Sequence, residues 1–238
     1  TVEANPDKWF MDPATYVSAG PYKMATWDHN SQGVLEKSEK YWDAKKVKLE
    51  KIVVTLIDSQ ITELTMFETG EIDFGDNPPP AEFPRLKDEG ILAISPYLGC
   101  YYYMLNVNVK PLDDVRVRKA LSLAMDRTVI TEITAGGELP ATGYVPGGIP
   151  DIGEGSDFRK AGNQYTQATA QIAEAQQLLA DAGYPNGEGF PALSILYNTN
   201  EQHKTIAEAL QEMWKQNLGI DVTLTNQEWG VYLESRNT

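Results

Sequence analysis

The stretch CYYYMLNVNVKPLDDVRVRKALSLAMDR, residues 100–127, decides which fold we expect for this chain. Its first half, Tyr101 to Val107, is aromatic and apolar with alternating faces, which predicts a β-strand. Pro111 interrupts the pattern because proline has no N–H to donate to a partner strand. A carboxylate at Asp113 or Asp114 then predicts the start of a helix, since it can accept from free amides and meets the positive end of the helix dipole. We expect this helix to run to about Ile133.

The helix should bury one apolar stripe, because its apolar residues repeat at helical spacing. These residues are Val117, Leu121, Ala124 and Met125. The three consecutive tyrosines before the helix place hydroxyls on both faces of the predicted strand. Two interpretations stay open at this point: the tyrosines form aromatic core with their hydroxyls at the surface, or one of the two faces looks into a ligand cleft.

The composition excludes several classes of partner. The chain has 238 residues, enough for one large domain or two modest ones, and its net charge is −14. Such an acidic chain is not expected to bind nucleic acid or an anionic membrane surface. No apolar run approaches the ~18 residues that a membrane-spanning helix needs. The single cysteine, Cys100, excludes an internal disulfide and is typical of a small buried apolar side chain.

The amino-terminal third predicts a β-hairpin followed by a β-α-β unit. The hairpin is indicated by two alternating stretches, Pro21 to Asp28 and Val34 to Glu39, on either side of a polar turn that contains His29. The β-α-β unit is expected from a buried strand, a short helix ended by Gly70 and a second strand. These three segments are Lys51 to Ile57, Ile61 to Gly70 and Ile72 to Phe74. A further helix, Ala81 to Glu89, and a strand, Ile91 to Tyr97, lead into the tyrosine segment.

The carboxy-terminal half predicts a long loop, a helix and a second β-α-β unit. The loop covers residues 136–162, which are rich in glycine and proline without a phosphate-binding motif. The helix is expected from Thr166 to Ala182, where Gly183 ends it. The second unit is expected from a strand at Leu193 to Tyr197, a helix at Asn200 to Asn217 and a strand at Ile220 to Thr225. A last helix begins at Trp229.

Two polar positions follow predicted strands, at the end of a sheet where ligands bind in open α/β folds. Asn77 follows the first β-α-β unit, although it could also be a turn residue before Pro78. His203 lies in the first turn of the helix after Tyr197-Asn198-Thr199. It is either an exposed helical histidine or a donor to an anion at the helix N-terminus, where Arg236 could add a forked donor. No catalytic motif is present, so we expect no catalytic residue, metal or cofactor.

Several ordered motifs resemble those of the family 5 extracellular solute-binding proteins, the receptors of ABC importers. The similarity covers essentially the whole chain and is greatest to the oligopeptide-binding branch. Besides the YYY-x-x-N and P-x-x-D-x-R-V-R-K-A-L-S segments, the matching motifs are Gly20-Pro21-Tyr22-Lys23, Tyr41-Trp42, Gly70-Glu71-Ile72-Asp73, Ala182-Gly183-Tyr184, Tyr197-Asn198-Thr199 with His203-Lys204, and Asn226-Gln227-Glu228-Trp229.

The resemblance implies an α/β protein of the type II periplasmic-binding class, with mixed sheets flanked by helices and two lobes, each incomplete here. Residues 1–98 would belong to the first lobe and 99–238 to the second. The whole receptor would be a monomer, periplasmic or lipid-anchored at the cell surface. It would capture oligopeptides between its lobes and deliver them to a membrane permease. The resemblance also implies that the chain is an internal fragment, with its export signal elsewhere and a disulfide partner for Cys100 after Thr238.

The positions that match ligand contacts of the family are Asn77, Tyr97, Tyr102, Asn198, His203, Trp229, Leu233 and Arg236. The resemblance implies that His203 and Arg236 hold the C-terminal carboxylate of a bound peptide. The chain departs from the family at two points. Met104 replaces an acidic residue, which argues against a preference for basic side chains. The aspartate that pairs with the peptide ammonium would lie after Thr238, so this fragment is expected to bind peptide feebly or not at all. The alternatives are a non-peptide solute, such as a nickel chelate, haem, an opine or an oligosaccharide, and a sensing module without transport.

Overall fold

The computed structural model describes residues 8–95, 97–153, 155–162 and 164–236. The chain divides into two compact units, Thr1–Pro78 and Pro79–Thr238. Helices and sheets are both present, which confirms the predicted α/β class. In the part of the chain that the structure describes, no helix has the length and apolar character needed to cross a membrane. The lobe boundary predicted near residue 98 concerns the whole receptor and stays a prediction.

The amino-terminal unit contains the predicted hairpin and one further strand. Strands β1 (Tyr22–Asp28), β2 (Gln32–Lys37) and β3 (Lys51–Thr55) form an antiparallel sheet in the order β1-β2-β3. Helix α1 (Gln60–Glu68) begins at Ser59, whose side chain accepts from the Thr62 amide. As predicted, the chain leaves the helix at Gly70, which has a φ of +76°.

The first predicted β-α-β unit is wrong. No strand forms at residues 72–74, because the amides of Glu71 and Ile72 both donate to the Met66 carbonyl at the C-terminus of α1 and so turn the chain. Strand β3 is also not the buried parallel strand that was expected. It pairs antiparallel to β2, and Val53 and Val54 are 49% and 42% exposed.

The carboxy-terminal unit starts with a 3-10 turn, Pro80–Glu82, and helix α2 (Phe83–Asp88). The strands predicted at Ile91 to Tyr97 and at Tyr101 to Val107 are wrong. The amides of Ile91 and Leu92 donate to the Leu86 carbonyl, which closes the end of α2. Residues 101–106 form neither helix nor turn, and no described segment pairs with their backbone as a strand requires. The alternation of faces is nevertheless present, since Tyr103 and Leu105 pack on the core.

The central helix is two helices, α3 (Val115–Leu123) and α4 (Arg127–Thr134). Asp114 caps α3 as predicted, but Asp126 caps a second start by accepting from the amides of Thr128 and Val129. The Arg127 guanidinium donates to the carbonyl and the hydroxyl of Ser122, near the end of α3. Asp126 and Arg127 therefore stabilise the junction between the helices.

The junction between α3 and α4 also explains why the next long helix is shorter than predicted. The Arg127 amide donates to the Ala168 carbonyl, and the Gln171 amide donates to the Leu123 carbonyl. Residues 168–171 therefore pair with the junction. Helix α6 starts only at Ile172 and runs to Asp181, after the short helix α5 (Phe158–Ala161) in the long loop.

The second predicted β-α-β unit is confirmed. Strand β4 (Leu193–Asn198), helix α7 (Glu201–Leu218) and strand β5 (Val222–Gln227) form it, and the two strands are parallel. Asn200 caps α7, and Gly219 ends it with a φ of +70°. Helix α8 (Trp229–Ser235) follows, capped by Glu228. The core of this unit packs α3, α6 and α7 with the two strands, around Val117, Leu121, Leu179, Leu210 and Trp214.

Candidate functional site

The carboxyl end of β4 and the start of α7 bring two of the predicted site residues together. Asn198 is the last residue of β4, and its Oδ1 lies 2.7 Å from Nδ1 of His203. The side chain of Asn200 accepts from the backbone amide of His203 at 3.1 Å, which fixes the first turn of α7. The predicted switch from strand to helix therefore positions the histidine ring against the asparagine side chain.

A third residue, Tyr101, completes this group. Its hydroxyl lies 2.7 Å from Nε2 of His203, and the ring centroids are 5.3 Å apart. Sequence reasoning selected the neighbouring Tyr102 and missed Tyr101. The run of three tyrosines indicated that one of them could belong to the site. Only the packing of Tyr103 on the core shows that its side of the segment, which includes Tyr101, meets α7.

The hydroxyl groups of this region influence one another. Burial and, to a smaller extent, the nearby hydroxyls of Tyr101, Tyr232 and Tyr197 together raise the pKa of the Tyr103 hydroxyl to about 12. Burial also raises the pKa of Tyr101, with a smaller contribution from Tyr232. Burial lowers the pKa of His203, so its ring is neutral at pH 7. The site is therefore uncharged at this point and rich in hydrogen-bonding groups.

Helix α8 and the residue that caps its C-terminus supply three of the predicted residues, Trp229, Leu233 and Arg236. The rings of Trp229 and Tyr232 stack with centroids 5.8 Å apart, and the Arg236 guanidinium lies 5.9 Å from the centroid of the Tyr232 ring. Trp229 is 53% exposed, and Leu233 is half-buried. Tyr232, which links the two outer residues, was not predicted, because nothing in the sequence separates it from an ordinary surface tyrosine.

Gln227, the last residue of β5, adds an acceptor to this end of the sheet. Its Oε1 is buried and has no hydrogen-bond partner among the described residues. The backbone carbonyl of Gln227 accepts from the Thr199 amide and holds the loop after β4. A ligand N–H or a water molecule could satisfy the free Oε1 atom.

Tyr97 and Tyr102 lie elsewhere in the carboxy-terminal unit and do not contact His203. Tyr97 is 90% exposed. Tyr102 packs edge-on against Tyr144, with ring centroids 4.9 Å apart. Tyr144 also lines an open, mainly apolar cleft of about 280 Å³ beside Cys100. Cys100 is half-buried and unpaired, and its sulfur lies 3.8 Å from the Gly143 carbonyl oxygen.

Asn77 lies in the amino-terminal unit, where helix α1 positions it. Its Oδ1 accepts from Nε2 of the buried Gln60 at 2.8 Å. The Glu63 carboxylate accepts from the amides of Asp76 and Asn77 at 2.6 and 3.3 Å. Because Oδ1 of Asn77 is already engaged, its Nδ2 amino group is the end that can donate to a ligand carbonyl.

The arrangement offers aromatic faces, amide groups and hydroxyls rather than a reactive centre. Among residues 8–95, 97–153, 155–162 and 164–236, no group of three His, Cys, Asp or Glu side chains could hold a metal ion. Such a site can recognise the amide and carbonyl groups of a polar solute and stack on its apolar parts.

Comparison with known proteins identifies the family. A family model described as "Bacterial extracellular solute-binding proteins, family 5 Middle" matches residues 1–238. The chain is 38% identical over 224 residues to the oligopeptide-binding protein OppA of Bacillus subtilis, covering 92% of this chain and 41% of that protein. It is 31% identical to the probable deoxycholate-binding periplasmic protein YgiS of Escherichia coli, covering 97% of this chain and 42% of that protein.

A solved structure agrees with these matches. The crystal structure of Haemophilus influenzae OppA in complex with RPPGFSPFR has a TM-score of 0.79 and 35% identity, covering 99% of this chain and 46% of that one. The chain thus spans less than half the length of the relatives it matches. It belongs to the family 5 extracellular solute-binding proteins and has the fold expected of that class.

Proposed function

We propose that this member of family 5 is part of a receptor that captures oligopeptides and delivers them to the permease of an ABC transporter. The observation that carries the proposal is the polar group at the carboxyl end of β4, where Asn198, His203 and Tyr101 join through two contacts of 2.7 Å. The relatives named for oligopeptides support the choice of ligand.

Recognition would use the peptide main chain. Each peptide unit offers one N–H and one C=O, so a site that bonds to them tolerates many sequences. The Nδ2 group of Asn77 would donate to a peptide carbonyl, and Gln227 Oε1 would accept a peptide N–H. The exposed rings of Tyr97, Tyr102 and Trp229, together with Leu233, would line roomy positions for side chains. Arg236 would pair with the C-terminal carboxylate.

The whole receptor would place this ligand between two lobes that close around it. We assign residues 1–98 to the first lobe and 99–238 to the second. The receptor acts as a monomer in the periplasm or at the cell surface, without catalysis and without nucleic acid as a partner. The net charge of −14 in this part alone argues against nucleic acid or an anionic membrane surface as a partner.

A non-peptide solute is the second candidate, and the relative named for deoxycholate favours it. Native mass spectrometry of the full-length receptor, freshly purified, separates the two. The peptide proposal expects a ladder of co-purified masses that tandem fragmentation resolves into amino-acid residues. A single mass that fragments as a sterol, sugar or metal chelate would replace it with the second candidate.

A further inference from the structure

The proton positions in the Tyr101–His203–Asn198 group follow from its donors and acceptors. The carboxamide of Asn198 turns its oxygen, which cannot donate, toward Nδ1 of His203 at 2.7 Å. Nδ1 therefore carries a proton. In a neutral ring Nε2 then carries no proton, so it accepts a hydrogen bond from the Tyr101 hydroxyl, 2.7 Å away.

Both nitrogens of His203 are thus occupied by groups of the protein. The ring is half-buried, whereas Tyr101 is 76% exposed. Tyr101 is therefore the most exposed residue of this group, and its hydroxyl oxygen is the atom through which we expect the group to meet a ligand. With a neutral ring the only hydroxyl proton of Tyr101 is engaged in its hydrogen bond to His203, so the oxygen can accept a hydrogen bond from a ligand but cannot donate one.

We infer that Tyr101 is a specificity-determining residue that presents this group to the ligand, and that His203 acts through it. With a neutral ring, the Tyr101 oxygen accepts from a ligand N–H. With a protonated ring, Nε2–H donates to the Tyr101 oxygen, and the freed hydroxyl proton turns outward to a carbonyl or carboxylate. The choice of a peptide end as the ligand group rests on the proposed function.

This differs from the role that the family resemblance gave His203, which was to hold a carboxylate itself. At neutral pH Tyr101 offers an acceptor, and it becomes a donor only when the His203 ring takes up a proton. Burial alone lowers the His203 pKa below its usual value of about 6.5, so this change is expected below that pH.

The other titratable groups near Tyr101 and His203 do not change this expected switch of Tyr101 from acceptor to donor. Tyr103, Tyr197 and Tyr232 lie near Tyr101, and the Arg236 guanidinium lies over the Tyr232 ring. The pKa of Tyr103 is raised to about 12 and that of Tyr101 is also raised, so both hydroxyls keep their protons between pH 5 and 8. On α7 itself, Glu201 lies in the first turn, and Lys204 pairs with Glu208 at 3.8 Å. Within the Tyr101–His203–Asn198 group, the His203 ring is the one that can take up a proton.

The first test is nitrogen-15 NMR of the histidine rings in this chain at pH 8. His29 is an internal control with the opposite tautomer, because Trp27 Nε1–H donates to its Nδ1 at 2.8 Å and leaves the proton on Nε2. We expect His203 protonated on Nδ1 and His29 on Nε2. Tyr101→Phe should move the His203 Nε2 resonance to that of an unbonded nitrogen, and Tyr165→Phe, at an exposed tyrosine outside the group, should not. A His203 proton on Nε2, or a resonance indifferent to Tyr101→Phe, overturns the inference.

The second test is calorimetry of the full-length receptor with a tripeptide and its C-terminal amide at pH 8 and pH 5. The terminal carboxylate stays ionised at both values. We expect the preference for the free carboxylate to rise about tenfold at pH 5 in the wild type and in Tyr165→Phe, and to stay constant in Tyr101→Phe. Peptide binding with a preference that pH does not change, or that changes equally in Tyr101→Phe, overturns the inference and leaves the proposed function intact. A wild type that binds neither peptide overturns the proposed function and the peptide ligand of Tyr101 together.

Discussion

The contact between Trp214 and α3 makes the strongest prediction about stability. Trp214 on α7 is 5% exposed, and its Nε1–H donates to the Leu121 carbonyl at 2.9 Å. Leu121 lies in the last turn of α3, where carbonyls have no partner within the helix. Asn217 supplies the next such donor, to the Ala124 carbonyl at 2.9 Å. Helix α7 therefore closes the end of α3 with side-chain donors.

Replacing Trp214 with Phe should lower the free energy of unfolding of the carboxy-terminal unit by about 2–4 kcal/mol. A buried carbonyl left without its partner costs about 1–3 kcal/mol. The smaller ring adds about 1 kcal/mol for the space it leaves. Urea unfolding followed by circular dichroism at 222 nm measures the loss, because α2 to α8 lie in this unit.

The matched control is Trp42→Phe, since Trp42 is 84% exposed. This change should stay within about 0.5 kcal/mol of the wild type. An unfolding midpoint for Trp214→Phe equal to that of Trp42→Phe would refute the contact between α7 and α3.

Three further predictions concern loops and caps. Glu63→Ala should speed hydrogen exchange of the Asp76 and Asn77 amides about tenfold, because both amides donate to this carboxylate. Glu63→Gln keeps an acceptor and should change the exchange rates less. Equal exchange rates in the wild type and both variants would contradict this anchoring role of Glu63. Asp126→Ala should cost about 1 kcal/mol at pH 7, measured by urea unfolding. Hydrogen bonds from Thr128 and Val129 lower the Asp126 pKa below 3.8, so the difference should start to shrink near pH 4 and be lost as the pH falls through the folded-state pKa; a difference that does not shrink would refute the cap. In the same assay, Gly219→Ala should lower the free energy of unfolding more than Gly183→Ala. Both residues have positive φ, but only at Gly219 would the new Cβ collide with the Asn186 carbonyl. Equal losses would contradict that close approach.

The sequence predicted the elements whose signals are local. The unit β4-α7-β5 follows from Asn200 as a cap, Gly219 as a stop and apolar repeats of two different periods. The segments at residues 72–74 and 91–97 have the composition of strands, but their first amides are taken by the preceding helix ends. Whether an extended segment gains a partner strand depends on distant parts of the chain, and composition does not contain that information.

In the candidate site, too, contacts between residues close in sequence were predictable and contacts between distant residues were not. Asn198 and His203 lie five residues apart across a strand-to-helix switch, so their contact follows from local geometry. The contact between Tyr101 and His203 joins residues 102 positions apart in the sequence. Choosing Tyr101 over Tyr102 required knowing that Tyr103 packs on the core. The role of Tyr232 likewise depends on contacts between distant parts of the chain, since it follows from the packing of α8 beside β4.

The measurement that tests the central claim most directly is a calorimetric titration of the full-length receptor, stripped of bound solute, with a mixture of tri- to pentapeptides. Our account predicts saturable heat at about one peptide per receptor. It also predicts weaker binding when Asn198 or Arg236 is replaced by alanine. No heat with the peptides, together with saturable binding of a sugar, a bile acid or a metal chelate, would contradict it.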